Sequence, residues 1–202
     1  LSGSDATPPR AVIFTCAGAG LSPQERRFFE ESNPLGLILF ALQCVEPAQV
    51  RDLIADFRNA VGRADAPVLI DQEGGRVARL KPPHWRVSPP AARFGKLAAH
   101  DSARGHAAAR LNARLIAAEL ADLGITVDCA PMLDVPVPGS DDIVGDRAFA
   151  DDPALVATLG RAACEGFLAG GVIPVIKHIP GHGRATADSH KSLPVVDDSR
   201  AM

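Results

Sequence analysis

The sequence predicts an α/β chain of the TIM (β/α)8 barrel class, with about the first five β/α units present. Three observations carry this. Short apolar runs alternate with longer amphipathic runs, the pattern of a parallel sheet covered by helices. Polar residues recur where the third, fourth and fifth apolar runs give out: Asp71, Asp134, then Lys177 and His178. In barrels of this type, ligand groups sit at the carboxyl ends of strands. Finally, no Gly-x-Gly-x-x-Gly turn follows the first strand. Gly18 and Gly20 are only a fragment of one, which disfavours a dinucleotide-binding fold.

Each element has its own signal. Residues 1–10 lack an apolar core and read as a disordered lead-in, not a signal peptide. The barrel portion is then 11–202. Residues 11–16 form the first strand. Ser22-Pro23-Gln24-Glu25 starts a helix, with Ser as N-cap, Pro at the first helical position and Glu closing a capping box. Residues 37–41 form the second strand. Val50, Leu53, Ile54, Phe57 and Val61 place 47–61 on a helix. Residues 67–70 form the third strand, ending at Asp71. The stretch from Gln72 to about Arg93 is rich in Pro and Gly and reads as a long functional loop. A long helix spans about 103–123, with Gly124 as its stop. Residues 127–130 form the fourth strand, and 131–149 a second long, charged loop. Asp152-Pro153 starts a helix that runs to about Ala169. Residues 172–176 form the fifth strand.

Composition excludes several functions. The 202 residues are 47% hydrophobic, enough for one sizeable core. A net charge of -3 and scattered basic residues argue against a nucleic-acid partner. The apolar runs are too short and broken to span a membrane. Cys16, Cys44, Cys129 and Cys164 are far apart with no Cys-x-x-Cys pair, so they read as small apolar residues in a reducing compartment.

Four constellations could carry chemistry. Asp71-Gln72-Glu73-Gly74-Gly75-Arg76-Val77-Ala78-Arg79 places a carboxylate, a tight turn and two arginines beside one strand end. It suits sugar hydroxyls, or is a solvated turn with an internal ion pair. Gly145-Asp146-Arg147-Ala148-Phe149 puts Arg147 in the loop after strand four, either at the same mouth or in a surface ion pair. Lys177 and His178 end strand five. Consecutive side chains on a strand face opposite ways, so both reach a ligand only if the strand stops there, as Pro180 and Gly181 suggest. Asp188-Ser189-His190 sets a carboxylate two residues from an imidazole, the pairing that fixes a tautomer and stabilises the imidazolium. Gly181, Gly183 and Ser189 give it a mobile loop. The alternatives there are a chance histidine or a metal cluster of His178, His182 and His190. The spacing matches no zinc pattern, and neutral sugars need no metal.

Taken in order, Asp-Gln-Glu-Gly-Gly-Arg-Val-x-Arg, Gly-Asp-Arg-x-Phe, and Lys-His-x-Pro-Gly-His-Gly with Asp-Ser-His resemble the bacterial β-N-acetylglucosaminidases of glycoside hydrolase family 3. The resemblance runs from about Ala11 to the end, with Ile179 where the family usually has Phe. It implies a cytoplasmic, cofactor-free enzyme that removes terminal N-acetylglucosamine from peptidoglycan-derived muropeptides with retention. By resemblance, Asp71, Arg79, Arg147, Lys177 and His178 bind the sugar, and His190 with Asp188 is the general acid/base. A histidine acid departs from the two-carboxylate plan of most glycosidases. The family's nucleophile is an aspartate on a later strand, and no residue here matches it. If the 202 residues act alone, no turnover is expected, and the open edge of strand five invites a chain that completes the barrel. Competing expectations are a non-catalytic sugar-binding fragment, a β-glucosidase and a metal-dependent hydrolase.

Overall fold

A computed structural model describes residues 7–196. Five parallel strands lie side by side in chain order, β1 (Arg10–Phe14), β2 (Pro34–Leu39), β3 (Val68–Ile70), β4 (Val127–Asp128) and β5 (Ile173–Pro174). Between them run α1 (Pro23–Ser32), α2 (Pro47–Ala60), α3 (Ala91–His100), α4 (Ser102–Leu123) and α5 (Pro153–Ala169). Right-handed crossovers between strands that follow one another in a single direction stack every helix on one face of the sheet, which is the geometry of a barrel segment. A doubly wound sheet reverses its strand order and covers both faces; this one does neither.

Local chemistry fixes the elements. The Ser22 hydroxyl accepts from the Glu25 N–H (3.2 Å), and the Glu25 carboxylate accepts from the Ser22 N–H (2.8 Å), closing the expected capping box on α1. Asp152 caps α5 through the N–H groups of Ala154 and Leu155. Gly124 ends α4 at a φ of 88°. The helices bury one stripe: Val50, Leu53, Ile54 and Phe57 of α2, Ile116 and Leu120 of α4, Leu159 and Phe167 of α5. These meet Leu37, Leu39, Val68 and Ile70 of the sheet in one core. On the strands' other face, Ile13 of β1 and Ile173 of β5 are exposed.

Several boundaries differ from the sequence expectation. Arg10 lies in β1, paired with Pro34, so the lead-in among the described residues is only 7–9; residues 1–6 of the expected lead-in lie outside them. The second strand starts at Pro34, not 37, because Asn33 takes a left-handed C-cap conformation that turns the chain straight from α1 into the sheet. The fourth and fifth strands are shorter than 127–130 and 172–176, although single further contacts continue the ladder to Met132 and Lys177. The long loop closes at Pro90, and α3 follows it unforeseen. All four cysteines are free. Among the described residues, no helix is long and apolar enough to cross a membrane.

Candidate active site

The loops at the carboxyl ends of β3, β4 and β5 enclose a cavity of about 280 Å³. Its floor is a charge cluster. Asp71 is the first residue beyond β3, and Glu73 follows two residues later. In extended backbone, alternate side chains share a side. Both carboxylates therefore meet Lys177 from beyond β5: Lys177 Nζ lies 2.8 Å from Asp71 Oδ1 and 2.6 Å from Glu73 Oε1. Arg147 grips Glu73 with two bonds, Nε to Oε2 at 2.9 Å and a terminal nitrogen to Oε1 at 2.8 Å. Arg79 reaches Asp71 at 3.2 Å and stands over the Phe40 ring at 5.8 Å. Burial disfavours charge on Asp71, Glu73, Lys177 and Arg147, but the pairing outweighs it. Asp71 and Glu73 are held below the ordinary carboxylate range, and Lys177 and Arg147 are raised above theirs.

The second wall is built around Asp134, in the loop after β4. Its Oδ2 accepts from His178 Nδ1–H at 2.5 Å, and its Oδ1 accepts from the His182 backbone N–H at 2.5 Å. Burial pushes Asp134 up, yet these donors bring it below the ordinary value. Gly183 lets this turn lie flat on the β4 loop, since a Cβ there would sit 2.0 Å from the Val135 carbonyl oxygen. The Lys177–His178 peptide is cis, and both side chains line the cavity. Both ring nitrogens of His182 are buried, and neither has a hydrogen-bond partner among the described residues.

His190 stands at the rim, with its side chain 78% exposed. Its Nδ1–H donates to Asp188 Oδ1 at 2.8 Å, and its backbone N–H donates to the same oxygen at 2.9 Å. That backbone bond first, then the ring, holds Asp188 down at about 2. The carboxylate thus fixes the tautomer, leaving Nε2 without a partner among the described residues.

The structure therefore gathers Asp71, Arg79, Arg147, Lys177, His178 and His190 on one cavity, with Asp188 behind His190. The sequence reading assigned no role to Glu73, the hub of the floor. The period-two signal was present: Glu73 shares a parity with Asp71, beyond a strand. Asp128, at the end of β4, was also passed over; it is fully buried, and burial pushes its carboxyl up to about 7. Among the described residues, no group of three His, Cys, Asp or Glu side chains is placed to hold a metal ion.

Fold and cavity together define a (β/α)-barrel protein with a polar ligand site at the carboxyl ends of its strands. Residues 21–202 match the N-terminal domain of glycosyl hydrolase family 3, and the chain belongs to that family. It is 39% identical over 181 residues to a β-hexosaminidase of Xanthomonas euvesicatoria, covering 89% of this chain and 52% of the relative. A β-hexosaminidase of Methylococcus capsulatus is 38% identical over 190 residues, covering 94% of this chain and 54% of the relative. Among solved structures, NagZ from Neisseria gonorrhoeae in complex with N-trifluoroacetyl-D-glucosamine superposes with a TM-score of 0.85 at 31% identity. That match covers 92% of this chain and 55% of the other. The chain thus spans about half the length of the curated relatives it matches.

Proposed function

We propose that this chain carries the sugar-binding and acid/base half of a cytoplasmic retaining β-N-acetylhexosaminidase that removes terminal N-acetylglucosamine from peptidoglycan-derived muropeptides. The observation that carries the reading is His190. Its Nδ1–H is committed to Asp188, and its Nε2 has no partner among the described residues, at the rim of a cavity of sugar-ring size. An imidazole held in this way takes up a proton at Nε2, as an imidazolium that Asp188 stabilises, gives it to a departing glycosidic oxygen, and regains one from the attacking water. Asp71, Arg79, Arg147, Lys177 and His178 supply the charged donors and acceptors that fix hydroxyl and acetamido groups. The curated relatives are β-hexosaminidases, and the structural neighbour holds an N-acylated glucosamine analogue, which supports this substrate class.

Retention also needs a carboxylate nucleophile. The carboxylates lining the cavity are already engaged: Asp71 and Glu73 by Lys177 and the arginines, Asp134 by His178 and the His182 backbone. The nucleophile accordingly comes from outside these residues. The 202-residue polypeptide, its length confirmed by intact mass, is expected to bind N-acetylglucosamine and not to release chromophore from a chromogenic N-acetylglucosaminide. Lys177→Ala should weaken binding about tenfold or more, the scale of a lost charged hydrogen bond. His190→Ala should leave binding within about twofold, because the acid/base acts on the transition state and not on the bound sugar. Robust turnover would overturn the absent-nucleophile part. Absence of N-acetylglucosamine binding, measured by calorimetry or ligand-observed NMR, would overturn the sugar assignment.

A further inference from the structure

Asp128 is 0% exposed, and its carboxylate has one partner among the described residues. Oδ1 accepts from the backbone N–H of Gln72 at 2.9 Å, while Oδ2 is buried without a partner. In the sheet, Asp128 pairs with Ile70, the last residue of β3, and the Cys129 N–H donates to the Ile70 carbonyl at 2.8 Å. The ladder stops there. The Asp128 side chain then takes the place of the next rung, holding the chain beyond β3 extended for a further step.

Extension decides where the following side chains go. Asp71 and Glu73 fall on the cavity side, flanking Lys177, and Gln72 points the other way. Gln72 is itself buried, and both polar atoms of its side chain are bonded. Oε1 accepts from the backbone N–H groups of Arg79 (2.8 Å) and Leu80 (3.0 Å), and Nε2 donates to the Leu80 carbonyl (3.1 Å). The returning arm of the loop is thereby pinned where the Arg79 guanidinium meets Asp71. A single buried path, Asp128 to Gln72 to the 79–80 backbone, spans the three side chains Asp71, Glu73 and Arg79.

Burying a carboxyl with one oxygen unpaired is unfavourable for folding, and an apolar residue would fill that space at lower cost. We infer that Asp128 is a positioning residue, acting through Gln72 to set the geometry of the cavity's ligand-binding charges. The inference rests on the sugar-site reading for its ligand, but the brace itself is independent of it.

The test compares the wild-type 202-residue chain with Asp128→Asn, Asp128→Leu and Gln72→Met, at a temperature where circular dichroism shows each folded. N-acetylglucosamine affinity is read by calorimetry or NMR, and protection of the Gln72, Arg79 and Leu80 amides by hydrogen exchange. Asp128→Asn retains an acceptor for the Gln72 N–H, so affinity should stay within about threefold and protection should persist. Asp128→Leu and Gln72→Met should lose about tenfold or more in affinity, the scale of one misplaced charged contact, and the Arg79 and Leu80 amides should exchange faster. If Asp128→Leu does not fold, Gln72→Met decides. Wild-type affinity and protection in the folded Leu or Met variant would overturn the brace. Wild-type protein that fails to bind the sugar sinks the sugar-site reading, and amide exchange in the variants then supports or overturns the brace without any ligand.

Discussion

Asp128 also sets a pH dependence that belongs to a single residue. Burial raises its carboxyl to about 7 in the folded chain, against an ordinary 3.8. The folded state therefore binds this proton more tightly than the unfolded state. Its contribution to stability is complete below about pH 4 and is lost as pH rises through about 7. Asp71, Glu73, Asp134 and Asp188 are shifted the opposite way and favour folding above about pH 4. The wild-type curve mixes both signs, so the difference from Asp128→Asn isolates Asp128. Urea unfolding should find Asp128→Asn gaining roughly 3–4 kcal/mol of stability relative to wild type between pH 4 and pH 8. Equal differences at both values would show that Asp128 does not titrate late. The same scale explains what the sequence concealed. Asp71, Lys177 and His178 were visible because each closes an apolar run. Asp128 reads as one more residue of a strand, and nothing in a lone sequence says that its carboxylate replaces a rung. Glu73 was hidden by its neighbour, since a turn rich in charge and glycine does not announce which carboxylate faces inward.

Among the elements, those with strong caps or periodicity were legible. α1 carries a capping box, α2 an unbroken apolar stripe, and α5 an Asp-Pro start. α3 was not, because Pro82, Pro83, Pro89 and Pro90 extend a loop signature up to its first turn. Its sequence also contains Gly95, which usually weakens a helix. Here the glycine is required by packing. A Cβ at Gly95 would lie 1.7 Å from the Phe149 carbonyl oxygen, so α3 rests directly on the backbone just after Arg147. Gly105 plays the same part between α4 and α3, where a Cβ would sit 2.3 Å from the Ala98 methyl. Gly95→Ala should therefore reverse the ordinary propensity gain of up to ~1 kcal/mol and destabilise the chain by roughly 1–3 kcal/mol. Denaturant titration checks the sign. A stabilised Gly95→Ala chain would mean that α3 can move off the Phe149 backbone without cost.

At the scale of the whole molecule, the sequential strand order has a consequence for solution behaviour. The barrel class was legible because alternation and strand-end polarity repeat along the chain; nothing in such a repeat tells what lies against the outer strands. Among the described residues, no strand pairs with the far side of β5. Ile173 on β5 is 59% exposed, and Leu168, Val175, Ile176 and Ile179 around it are exposed as well. An unpaired strand edge flanked by apolar side chains is a template for pairing with another chain. Such pairing removes apolar area from water at about 25 cal/mol per Å², and it needs no rearrangement of the helices, which lie on the other face. The 202-residue polypeptide should therefore self-associate as its concentration rises from micromolar to hundreds of micromolar, with light scattering reporting a growing mean mass. Ile173→Lys places a charge on the open edge, where lysine is the residue that blunts strand pairing. It should hold the mass near that of a single chain and leave N-acetylglucosamine binding unchanged, because Ile173 is outside the cavity. A wild-type chain of constant single-chain mass across that range would show that the open edge is already protected.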